Sequence, residues 1–369
     1  MELTNTALGA ASSANHVPSI NYLGPAGTYT YQAAQQFARV IGVVVPPIKS
    51  GAALVETTPR YTGASLGVVA PPVKPGAAPV ETTPPPNQSP IELTPQPSVA
   101  EVFAAVEADP AHLGVAALDN TVEGPVFATI DGLLTSANVV AIAAIVLPVT
   151  FDAYQLVGTQ TPTHGTAHPH ALAQVSRFLA EHQLAPLPAS SNMAAVENLA
   201  AGQIAFGPPG HQADGVEVVA RNVGDYPTAS TQFVLLAERD RAVELLRQNP
   251  VARYQSMIAI TPRATGPGVL ARITAQFAER SINLSSLISR PLKAQDGQYV
   301  FVVTMDAPPW AAMSRALLAD LLAADDAVKT LGVWAHAVDE VGSVLPAAIP
   351  PSSALGTDSA ADLAESLLW

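Results

Sequence analysis

The sequence predicts an α/β protein, on three observations. Short apolar runs alternate with helical stretches from residue 19 to about residue 250, the pattern of layered strands and helices with mostly parallel sheets. From Tyr254 the order becomes strand, helix, two strands, helix, strand, a small ferredoxin-like βαββαβ module. The 369-residue chain is 49% hydrophobic, which supplies real cores and argues against wholesale disorder. Aromatic residues make up only 5%, so those cores rest on Ala, Val, Leu and Ile.

Taken in order, Ile20 to Leu23 reads as a strand broken by Gly24-Pro25, and Thr28 opens a helix to about Val40. Residues 43–97 read as a proline-rich, extended, disordered insert: Gly42 to Pro59 reappears as Gly67 to Pro84 with 14 of 18 positions identical. Two copies are too few to stack a solenoid core, and proline breaks helices and removes ladder donors. Ser98 is placed to cap a helix through Val106, with Glu101 three residues on. Gly114 to Leu118 is a strand closed by Asp119-Asn120-Thr121, and Ile130 to Leu134 is helical. Val139 to Val149 and Tyr154 to Gly158 are strands, Pro169 to Glu181 a helix. Ser190 or Ser191 caps a helix through Leu199, and strands follow at Ile204–Phe206, Val216–Ala220 and Thr231–Leu236. In the module, strands fall at Met257–Ile260, Asn283–Arg290, Tyr299–Met305 and Val333–Val338, with helices at Gly268–Glu279 and Ala311–Leu322. The expected organisation is a tail (1–18), a main domain (19–250) holding the insert, the module (251–340), and a tail (341–369) with a short terminal helix.

Composition excludes several functions. There is no cysteine, so thiol catalysis, thiolate metal sites and disulfides are out. Net charge is −13, which argues against nucleic acid as the main partner. The acidity is local: residues 99–250 carry five Lys and Arg against 15 Asp and Glu. The longest apolar run, Val139 to Leu147, is far short of the roughly 20 residues of a membrane helix. No export signal is visible at the start, so a cytoplasmic protein is expected. The histidines at 164, 168 and 170 have no carboxylate or cysteine close in sequence, so no metal is expected, and no cofactor motif is present.

Small polar residues end strands just before helices at Gly24–Thr28, Asp119–Gly124 and Ser190–Asn192. In open α/β sheets ligands bind at the carboxyl ends of strands, where helix N-termini favour anions. Each segment alone also reads as an ordinary helix cap; three converging on one cleft would bind a small polyanion.

These residues resemble one family. Tyr22 to Ala34 is similar to the GPxGT opening of prephenate dehydratases, and Gly114 to Leu133 to their E-N-S-I-E-G and T-x-D-x-L segments. His168 to Val175 resembles HPQALAQC, Ser190 to Ala195 resembles S-T-A-x-A-A, and Ala229 to Leu236 resembles N-x-T-R-F. From Tyr254 the chain resembles the ACT regulatory domain fused to these enzymes. The resemblance implies a two-lobed catalytic domain like type II periplasmic binding proteins. It also implies conversion of prephenate to phenylpyruvate, water and carbon dioxide in phenylalanine biosynthesis, without a cofactor.

By the same resemblance Thr231 contacts the leaving hydroxyl, Asn120 and Thr121 match the family's catalytic Asn-Ser pair, and Glu123 is a proton source if burial raises its pKa. Thr28, Ser190, Ser191, Asn192, Gln232 and Phe233 line the substrate site. Gly268, Val269, Leu270, Ser289, Arg290 and Pro291 match the phenylalanine-binding motifs of the module, which implies feedback control and a homodimer or homotetramer. Four motif positions depart from the pattern, three of them being Asp119 for Glu, Gln232 for Arg and Ile288 for Glu. Ala229 also stands for Asn. An Arg lost from a substrate site would cost a bidentate carboxylate grip, with Arg177 and Arg221 the nearest substitutes in sequence. A relative that decarboxylates prephenate without aromatising it, and a non-catalytic ligand sensor, are the alternatives.

Overall fold

A computed structural model describes residues 19–44, 91–158, 161–211, 214–292 and 298–336. The N-terminal tail, the duplicated copies beyond residue 44 and the tail from residue 341 lie outside the described residues.

The first lobe is built on β1 (Ser19–Leu23), β2 (Glu92–Gln96), β3 (Leu113–Asn120), the two-residue β4 (Gly124–Pro125), β5 (Val139–Pro148) and β11 (Ser230–Glu238). Helices α1 (Tyr29–Val44), α2 (Val99–Ala108), α3 (Phe127–Thr135) and α7 (Arg239–Gln248) cover it. The second lobe has the sheet order β10-β6-β9-β7-β8, from β6 (Asp152–Leu156), β7 (His164–Ala167), β8 (Ala185–Pro188), β9 (Gln203–Gly207) and β10 (Val216–Ala220). Its helices are α4 (Pro169–Gln174), α5 (Ser176–Glu181) and α6 (Asn192–Glu197). Two chain crossings join the lobes, and Val149 N–H donates to Ala229 O there at 2.8 Å.

The sheets are mixed rather than mostly parallel. β11 returns from the second lobe and runs antiparallel to both β3 and β5, and β6 is antiparallel to β9 and β10. The end of the expected insert is ordered: β2 pairs in parallel with β1, Tyr22 opposite Pro95. Pro95 is tolerated because β2 is an edge strand. Ser98 caps α2 as expected, its Oγ accepting from Glu101 N at 3.2 Å. The helix expected over 169–181 is two helices with a break at Val175 (φ −122°, ψ 24°). The Gln174 carbonyl is taken at 2.7 Å by Asp225 N–H of the crossing segment, which draws the chain out of helical register.

The C-terminal module has the expected βαββαβ order: β12 (Tyr254–Thr261), α8 (Val269–Glu279), β13 (Leu284–Pro291), β14 (Tyr299–Met305), α9 (Ala312–Ala323) and β15 (Ala327–Ala335). Its last strand begins six residues earlier than the sequence suggested, at Ala327 rather than Val333. Strand alternation divides its sheet. Ile258, Ile260, Val303 and Met305 meet Ile273, Phe277, Leu317 and Leu321 of the helices. On the other face Met257, Ala259, Val302 and Trp334 share a core with Val102, Phe103, Ile130 and Leu133 of the first lobe. β15 also runs beside β5, with Gly332 opposite Ala141. A Cβ at 332 would sit 2.9 Å from the Ala141 carbonyl oxygen, so only glycine lets the two strands approach.

Gly165 does the same service in the second lobe. A Cβ there would lie 2.2 Å from Leu179 Cδ2 and 2.9 Å from Phe206 Cε2. Gly165→Ala is expected to lower stability by about 1–3 kcal/mol through overpacking, read as a shift of the urea midpoint without a change in slope.

Candidate functional site

Between the lobes lies a cleft of about 1310 Å³. The first lobe lines it with Thr28, Asn120, Glu123, Thr231 and Phe233, the second with His168, His170, Gln174 and Ser190 to Asn192. The three strand-to-helix segments singled out in the sequence therefore do converge. Thr28 opens α1, its Oγ1 accepting from Tyr31 N at 3.2 Å and donating to Pro25 O. Ser191 caps α6 by accepting from Ala194 N at 3.0 Å. Asn192 Oδ1 accepts from His168 N at 2.9 Å, tying this loop to the start of α4.

The centre of the first-lobe wall is a short relay. Asn120 Oδ1 accepts from Val122 N and Glu123 N, both at 2.9 Å. That fixes the amide orientation, so Asn120 Nδ2 donates to Thr231 Oγ1 at 2.8 Å. Thr231 is 7% exposed. With an acceptor lone pair already used, its own proton is free to point into the cleft. Thr121 belongs to the crossing rather than to this relay: its N donates to Ser230 O and its Oγ1 accepts from Ser230 N.

Glu123 is exposed, so the burial that its role as proton source required is absent here. Its Oε1 accepts from Gln174 Nε2 at 3.1 Å, a bond from one lobe to the other. Gln174 Oε1 is buried without a partner, an acceptor in the cleft wall. Tyr29, at the foot of α1, exchanges hydrogen bonds with the backbone of Thr150 on the crossing. Burial pushes its phenol well above the usual range. His168 is held below its ordinary value, first by burial and then by the neighbouring His170, whose ring lies 5.0 Å away. The three cleft residues His168, His170 and Gln174 were missed as site residues. Their presence in the segment matching HPQALAQC was the available signal.

Among the described residues, no Lys or Arg lines the cleft. Arg177 is paired with Asp225, and Arg221 with Asp152, so neither is the substitute cation sought in the sequence. Gln232 is not brought together with Thr231 and Phe233. Successive side chains of a strand point to opposite faces, and Gln232 lines a separate cavity of about 270 Å³ with Asp119 and Ile288. Ala229 is buried in the second-lobe core.

In the module, Gly268 (φ 88°) is the N-cap of α8. Gly268, Leu270, Ser289 and Pro291 are exposed and Val269 is partly buried. Arg290 faces the first lobe: it forms a bidentate ion pair with Asp131 of α3, at 2.7 and 2.8 Å, and lies over the Phe127 ring. Lys329 donates to the carbonyls of Leu133, Leu134 and Ser136 at the other end of α3. The module thus grips the helix that follows the Asn120–Glu123 loop.

A family model described as prephenate dehydratase matches residues 80–241. A prephenate dehydratase of Mycolicibacterium vanbaalenii is 29% identical over 349 residues, covering 91% of this chain and 95% of the relative. Among solved structures, the prephenate dehydratase of Staphylococcus aureus Mu50 superposes with a TM-score of 0.62 at 24% identity, over 86% of this chain and 99% of that one. That of Arthrobacter aurescens in complex with L-Phe gives 0.61 at 24% identity, over 89% and 94%. The structural likenesses carry the fold, and over residues 80–241 the chain is similar to the prephenate dehydratase family, in line with the ordered motifs.

Proposed function

We propose that the protein is a prephenate dehydratase, converting prephenate to phenylpyruvate, water and carbon dioxide. The observation that carries this reading is the Asn120–Thr231 bond at 2.8 Å, which leaves the Thr231 proton for the cleft. Hydroxide is a poor leaving group, so the ring C–O bond breaks as the departing oxygen gains a proton. Thr231 donates its hydrogen bond to that oxygen and relays the proton, which solvent in the cleft returns to Oγ1, while Asn120 holds it in place. As the C–O bond breaks, the electrons of the bond to the ring carboxylate flow into the ring. Carbon dioxide departs and aromatisation drives the step.

The described residues of the cleft wall offer the substrate's two carboxylates no Lys or Arg. Their partners are the free N–H groups at the start of α1, together with the Ser190 and Ser191 hydroxyls and Asn192. Phe233 and Phe151 provide the apolar wall for the ring. Because Gln232 lies outside the cleft, its departure from the family pattern gives no support to a non-aromatising decarboxylase. Phenylalanine feedback through Gly268–Leu270 and Ser289–Pro291, and pairing of the module into a homodimer or tetramer, complete the reading, as does a cytoplasmic location. Among the described residues no helix is long and apolar enough to cross a membrane.

Incubation of the purified chain with prephenate at neutral pH is expected to release phenylpyruvate, followed by its absorbance in alkali. A non-aromatic product, or ligand-induced thermal stabilisation without turnover, would replace this reading with one of the two alternatives.

A further inference from the structure

Three departures from the family pattern, far apart in sequence, fall in one place. Asp119, Gln232 and Ile288 all line the 270 Å³ cavity between the first lobe and the module sheet. Asp119 and Gln232 face each other across β3 and β11. The residues next to them, Asn120 and Thr231, point to the opposite face and into the cleft.

The cavity wall is unevenly satisfied. The Gln255 amide is saturated: its nitrogen donates to Ser285 and Asp306, and its oxygen accepts from Trp334 Nε1 at 3.0 Å. The side chains of Asp119 and Gln232 make no hydrogen bond or ion pair with the described residues. Burial raises the Asp119 pKa, with no charge partner to offset it. A carboxyl and a primary amide thus share a void whose other walls include Leu118, Ile130, Met257 and Ile288. The complement of that void is a compact cation with several N–H donors and a short apolar tail. The family pattern would place an arginine head there; this chain has none.

We propose that this cavity is a binding site for a small alkylguanidinium or alkylammonium compound, held by Asp119 and Gln232 and separate from both the cleft and the exposed motif residues of the module. The site does not depend on which reaction the cleft catalyses.

Calorimetric titration of the full chain with propylguanidinium and with propylammonium tests it, with propionate as the control of opposite charge at matched ionic strength. Saturable binding of at least one cation and none of propionate is expected. Asp119→Asn should weaken that binding at least tenfold. Gln232→Arg, which places a tethered guanidinium in the void, should abolish it. Absence of saturable cation binding by the parent, or parental affinity kept by either variant, overturns the proposal. Should Asp119→Asn not fold, retained binding in Gln232→Arg is by itself sufficient to overturn it.

Discussion

Thr231→Val is expected to lower kcat for prephenate by roughly 10²–10⁴, the range for loss of a positioned proton donor, with a much smaller change in KM. Valine keeps the shape of threonine and removes only the hydroxyl. The cost to the fold is one unmet donor, Asn120 Nδ2, which at a cleft wall amounts to about 1 kcal/mol. Asn120 itself stays anchored, because its Oδ1 is held by Val122 N and Glu123 N whatever stands at 231. A fall in kcat with a near-native melting curve therefore reports chemistry and not folding. Thr231→Ser, which restores the donor, should recover most of the rate. A valine variant within tenfold of the parent would remove Thr231 from the reaction and leave the cleft without its named donor.

The same strand explains what the sequence made legible and what it hid. The residue triplet Thr231-Gln232-Phe233 was read as one patch because a motif is read along the chain. A strand presents it as two faces: Thr231 and Phe233 to the cleft, Gln232 to the module. Alternation alone carried that information. The partner strand was harder. Between Gln232 and Phe233 the register slips, so that Gln232 faces Asp119 but Phe233 faces Ala117. Leu118 is the extra residue, and it joins Asp119 on the module side. A bulge of this kind leaves no clear mark in a single sequence.

Local chemistry was read well where it is local. The Ser98 cap, the Thr28 helix start and the βαββαβ order depend on residues a few positions apart, and each is found. β2 was hidden inside a proline-rich stretch because composition says nothing about an edge position, where Pro95 does little harm. The acidity of residues 99–250 made a substitute for the lost arginine hard to find in the sequence, and Arg177 and Arg221, the nearest in sequence, do not line the cleft. Gln232 is not where that cation would have stood. The donors proposed for the carboxylates are backbone N–H groups and hydroxyls, which are invisible in a charge count.

Trp334→Ala is expected to cost about 3–5 kcal/mol, the range for truncating a buried Trp. For a domain of this size that corresponds to a fall in Tm on the order of 10 °C. Trp334 is 2% exposed and packs in a core that draws on α2, α3, β3, β5 and β11 of the first lobe as well as on β12, β14 and β15 of the module. Its indole N–H also closes the Gln255 amide. Because that core belongs to both parts, the loss should not stay in the module. A single calorimetric transition shifted downward is expected, with prephenate turnover lost over the same temperature range. Two transitions, the lower one carrying the whole shift while thermal inactivation of turnover keeps its parental midpoint, would mean the module is merely tethered. The hold of Arg290 and Lys329 on α3 would then be too weak to transmit anything to Asn120. A common transition means the opposite: the sheet that bears Ser289 to Pro291 and the strands that bear Asn120 and Thr231 are one packed body. A ligand that shifts one then has a physical route to the other.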